Sequence, residues 1–90
     1  MEHISNYMEI LVEKYLESVM EEWDDLCTCE KCKRDIMALA LNNLKPMYIA
    51  TDAGSVYVKA NTTFNPQYAT DVVLAINAAI KIVHNEVRHE

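Results

Sequence analysis

Cys27, Cys29 and Cys32 lie within the six residues Cys27-Thr28-Cys29-Glu30-Lys31-Cys32, and no other stretch of the chain concentrates as much reactive chemistry. The spacing Cys-x-Cys-x-x-Cys puts three thiolates on one short turn, close enough to share one ion at a metal–sulfur distance of roughly 2.3 Å. Thiolate sets select soft metals, namely zinc, copper(I) or iron–sulfur clusters, and zinc is the first choice for a tetrahedral site. Two other readings compete. A disulfide between two of the three closes a very small loop and strands the third thiol. Cys29-Glu30-Lys31-Cys32 also has the spacing of a redox pair at the start of a helix, where thiolates are stabilised. A redox pair has no use for Cys27, whereas a metal site uses all three.

A structural zinc site is normally closed by four protein ligands, and this chain has no fourth cysteine. The candidates to complete it are His3, His84 and His89, an acidic residue next to the turn such as Asp24 or Asp25, or a water molecule. No serine–histidine–aspartate order or paired-carboxylate constellation stands out, and a single glycine leaves no phosphate-cradling loop. The expectation is a noncatalytic protein; a thiol redox protein or a zinc enzyme is the competing class.

The chain has 90 residues, enough for one domain spanning residues 1–90, and a domain of this size gains from a metal or a partner subunit. Fourteen acidic residues against eight basic ones give a net charge of −6, which removes the electrostatic footprint that duplex nucleic acid requires. No apolar run reaches the ~18–20 residues of a membrane span, and Met1-Glu2-His3-Ile4-Ser5 lacks the basic and hydrophobic regions of a signal peptide. A cytoplasmic location is expected, and its reducing conditions favour metal over disulfide.

Helices must position the cysteines. Ile4, Met8, Leu11, Tyr15, Val19, Trp23 and Leu26 recur at steps of three and four, predicting a first amphipathic helix from Ile4 to Leu26 with Asn6 as its cap. A second should begin near Glu30 and stop before Lys45-Pro46, because proline disfavours helical geometry in the preceding residue. Its body, Ile36 to Leu41, is apolar on nearly every side, the mark of a helix buried all round. Tyr48-Ile49-Ala50 and Val56-Tyr57-Val58 flank Asp52-Ala53-Gly54-Ser55 and read as a small β-hairpin, followed by a polar connector from Asn61 to Asn65.

Asn65-Pro66 is a strong helix start, and the third helix runs from there to about Val87 with a polar stripe of Asn77, Lys81, His84 and Arg88. Two nearly all-apolar helices in so short a chain imply a second copy across a two-fold axis, with an interface that draws on some of Ile76, Ile80, Val83 and Val87. The predicted fold is mainly α with a minor β component: three helices, a hairpin between the second and third, and a homodimer.

The ordered block of clustered cysteines, then Asp35-Ile36-Met37-Ala38-Leu39-Ala40-Leu41-Asn42, then Leu44-Lys45-Pro46-Met47-Tyr48, resembles the late-competence ComFB family over most of the chain. The resemblance implies a small helical homodimer, zinc-binding where the cysteines are present, in the setting of natural competence. It also implies a link to cyclic dinucleotide signalling. An anionic ligand of that kind needs cations, and the candidates are Arg34 and Lys59, with Lys33 and Lys45 behind them and Tyr48 or Tyr57 to stack on a base.

Overall fold

The computed structural model describes residues 4–50 and 52–85. Its elements are β1 (Ser5–Asn6), α1 (Tyr7–Glu21), α2 (Glu30–Asn42), β2 (Tyr48–Ile49), α3 (Asp52–Phe64) and α4 (Pro66–Asn85). Among the described residues the fold is mainly helical, as expected, but with four helices instead of three. Helix α4 is the central element, packed against both α1 and α2, while α3 touches the rest only lightly.

Asn6 sets the start of α1. Its backbone is extended, and its side-chain oxygen accepts the Met8 amide at 3.1 Å, satisfying one of the donors that a helix N-terminus leaves open. The same oxygen accepts the Met47 amide at 2.8 Å, and the Tyr7 amide donates to the Met47 carbonyl at 2.7 Å. One asparagine therefore caps a helix and fastens the segment leading into β2. Helix α1 then buries Met8, Leu11, Val12, Leu16, Val19 and Met20, a stripe at steps of one, three and four.

The first helix ends at Glu21, short of the expected Leu26. The chain turns through residues 22–25, and Asp25 takes a left-handed conformation at φ 58°, which aspartate tolerates better than most residues. Helix α2 follows with Cys29 as its N-cap residue. Cys32, Ile36 and Ala40 form its buried stripe at steps of four, whereas Ala38 and Asn42 face solvent. The expectation of burial on all sides is thus corrected to one buried face.

The predicted hairpin does not form. Tyr48–Ile49 pairs antiparallel with Ser5–Asn6, Ser5 opposite Ile49 and Asn6 opposite Tyr48, and the hairpin's second half lies inside α3. An alternating strand would put Val56 and Val58 on the same face. Instead Val58 packs against the core while Val56 is 69% exposed. Gly54, Val58 and Thr62, four residues apart, are half-buried, the spacing of a helix face. The supposed connector from Asn61 to Phe64 completes α3, so only Asn65 separates it from α4.

Asn65-Pro66 behaves as predicted: the Asn65 side-chain oxygen accepts the Gln67 amide at 3.0 Å, and Pro66 is the first helical residue. Along α4, Val72, Ala75, Ile76, Ala79, Ile80 and Val83 enter the core. Ile76 and Ile80 are 0% exposed within a single chain, which corrects their placement, and that of the buried Val83, at a subunit interface. Val87 lies outside the described residues. Among the described residues, no helix is long and apolar enough to cross a membrane.

Candidate metal centre

The cysteines occupy the junction between α1 and α2. Cys27 is half-buried in the connector, Cys29 is exposed at the N-cap of α2, and Cys32 is buried one turn into that helix. Their three sulfurs lie within 4.8 Å of one another, with Cys27 and Cys29 at 3.3 Å. Tetrahedral zinc with sulfur at ~2.3 Å sets neighbouring sulfurs about 3.8 Å apart, inside that range. The donor set and its spacing therefore fit a soft metal ion: three close cysteines that could hold one.

Electrostatics point the same way. Burial pushes the Cys32 thiol up to about 12, reinforced by hydrogen bonding and charge repulsion from Cys27 and Cys29. Without a cation, Cys32 remains a protonated thiol at neutral pH; a metal must displace that proton to bind. Lys31, held by a 2.8 Å ion pair to Asp35, is raised above the ordinary lysine value by that hydrogen bond and by the carboxylate's charge. Lys33 is raised by its 2.8 Å hydrogen bond to Glu17, which ties α2 back to α1 beside the cluster.

Among the described residues, no carboxylate or imidazole joins the three sulfurs as a group. Asp24 and Asp25 are exposed in the preceding turn, and His84 sits with its ring 6.2 Å from that of Trp23. His3 and His89 lie outside the described residues.

Trp23 is a contact that sequence reasoning did not find. Its indole donates to the Asn77 side-chain oxygen at 2.9 Å, and the Asn77 amide donates to the Val73 carbonyl at 3.1 Å. Asn77, on the polar stripe of α4, is half-buried and anchors the turn that leads to the cysteines. A polar residue in an apolar helix, facing a tryptophan with a donor to satisfy, was the available signal.

The expected anion-binding cations are not brought together. Arg34 lines a groove between α1 and α2 with Glu13, Glu17 and Glu30, whereas Lys59 lines a cleft between α1 and α3 with Lys14. Lys45 borders a third cleft of about 640 Å³, floored by Met8, Met47 and Leu74.

Comparison with known proteins adds ancestry to this geometry. The family model of the late competence development protein ComFB matches residues 5–86. Competence protein ComFB of Bacillus subtilis (strain 168) is 33% identical over 76 residues, spanning 83% of this chain and 78% of that protein. A solved structure, described as the structural characterization of the late competence protein ComFB from Bacillus subtilis, superposes with a TM-score of 0.81 at 26% identity, covering 96% of this chain and 93% of the other. The match takes in the cysteine turn, the Asn6 clamp and the central α4, and the chain belongs to the ComFB family of late competence development proteins.

Proposed function

We propose that the protein is a noncatalytic regulatory or adaptor homodimer, working in competence, whose cysteines hold one zinc ion per chain as a structural staple. The observation that carries this reading is the convergence of three sulfurs, within 4.8 Å, at the point where α1 hands over to α2. An ion held there ties the connector to the first turn of α2, so its binding free energy adds to that of folding. The buried Cys32, held as a thiol in the absence of metal, is a poor nucleophile, which favours a staple over thiol chemistry.

The second copy fits the outer side of α3. Val56 and Phe64 are 69% and 84% exposed, Tyr57 and Ala60 are exposed on the same face, and α3 carries little of the core. An apolar helix face of this kind on a chain of net charge −6 is best covered by a neutral, self-complementary surface. The alternative function, a cyclic dinucleotide receptor, is favoured by one observation: Lys59 shares its cleft with a second lysine, Lys14. Purification without chelator under reducing conditions, with metal analysis and sedimentation, tests the main reading. One zinc per chain in a dimer supports it; a metal-free monomer rejects it.

A further inference from the structure

We propose that the cleft between the α2–β2 connector and α4 binds a short zwitterionic apolar peptide, its carboxylate on Lys45 and its ammonium on Asp71. The cleft measures about 640 Å³, within the range of ordinary small-molecule sites, and Met8, Leu44, Pro46, Met47 and Leu74 give it an apolar lining. Leu74 is 63% exposed there, an apolar side chain of α4 that the chain's own core does not cover. Two methionines in one lining adapt to side chains of differing shape. The wall that carries Met47 is held in place: the Asn6 side-chain oxygen accepts the Met47 amide at 2.8 Å, and the Met47 carbonyl accepts the Tyr7 amide at 2.7 Å.

The charges of the walls select the ligand. Lys45 on the connector and Asp71 on α4 are both exposed, and among the described residues neither makes an ion pair, whereas Lys31 and Lys33 each hold a carboxylate. One cation balanced by one carboxylate leaves the cleft without net charge, so it disfavours a phosphate, which needs cations in excess, and suits a molecule that carries one charge of each sign. Gln67 donates to Asp71 Oδ1 at 2.8 Å and orients that carboxylate. Asn43 donates its side-chain amide to the Leu39 carbonyl at 3.1 Å, which leaves its oxygen as an acceptor for a peptide N–H. A free amino acid carries both charges on one carbon and has one side chain for the whole lining. A dipeptide separates the charges by a peptide unit and offers two side chains, which suits charged groups placed on two different elements. The site shares no residue with the cysteine cluster, with the exposed face of α3 or with the cleft of Lys14 and Lys59, so it stands or falls apart from the staple, the dimer and the receptor reading.

Titration calorimetry of the full chain with leucyl-phenylalanine, its N-acetyl and C-terminal amide forms, and free leucine tests it. The dipeptide should bind saturably and more tightly than leucine, and capping either end should weaken it by about tenfold or more, the loss of one charge-assisted contact. Asp71→Asn should weaken the free dipeptide by as much and make the protein indifferent to acetylation. Lys45→Met should do the same for amidation, because each pair of changes removes a single interaction. Leu74→Ser should weaken every form alike. All three positions are exposed, so the variants should keep the wild-type circular dichroism. Absence of saturable binding by the dipeptide, leucine binding as tightly as the dipeptide, or caps that cost as much in the variants as in the wild-type chain would overturn the proposal.

Discussion

The indole of Trp23 donates to the Asn77 side-chain oxygen at 2.9 Å across 54 positions of sequence, joining the turn before the cysteines to the middle of α4. Asn77→Leu leaves that donor without a partner in a half-buried site and should cost about 1–3 kcal/mol. Thermal melting followed by tryptophan fluorescence checks this. A melting temperature and emission spectrum identical to wild type would show that the bond contributes nothing.

Asn6 carries two structural bonds on one oxygen, the cap of α1 and the clamp on Met47. Asn6→Ala should therefore destabilise by about 1–2 kcal/mol, at the upper end for a cap substitution. Asn6→Asp keeps an oxygen to accept both amides and should recover most of the loss. Urea unfolding of the two variants separates an acceptor role from simple loss of volume.

Charge placed on α3 and charge placed on α4 should have opposite consequences. Phe64→Asp is on the exposed face assigned to the second copy, so it should yield a folded monomer in sedimentation. Ile80→Asp buries an unpaired carboxylate in the core and should unfold the chain, at a cost of about 3 kcal/mol or more. A Phe64→Asp protein that stays dimeric would move the interface off α3.

The contrast between those two residues also shows what the sequence could reveal. The stripes of α1, α2 and α4 were legible because 3.6-residue periodicity records which side faces a core, and Asn65-Pro66 marked a boundary by local chemistry alone. Whether Ile76 and Ile80 face their own chain or a second copy is invisible in that period, since both environments are apolar. Val56-Tyr57-Val58 misled because β-branched and aromatic residues favour strands only where a neighbouring strand exists to receive them. Here β2 pairs with Ser5–Asn6, more than forty positions earlier, and its other side leads into α3.

The same distinction governs the sites. The three cysteines are close in sequence, so their convergence could be read directly, down to the single turn that holds them. Arg34 and Lys59 were grouped by charge alone, and the fold puts α1 between them. Lys14 joins Lys59 only because α3, as a helix, brings Ser55 and Lys59 to line a cleft with it.

Metal content combined with stability is the most direct test of the central claim. Protein purified without chelator under reducing conditions should carry one zinc per chain, and removing it should lower the melting temperature. Cys32→Ser should lose both the metal and the response to chelator, because it removes the buried ligand of the cluster. Protein free of zinc, with a melting curve unmoved by chelator and by Cys32→Ser, would contradict the account and leave the three cysteines without a metal to hold.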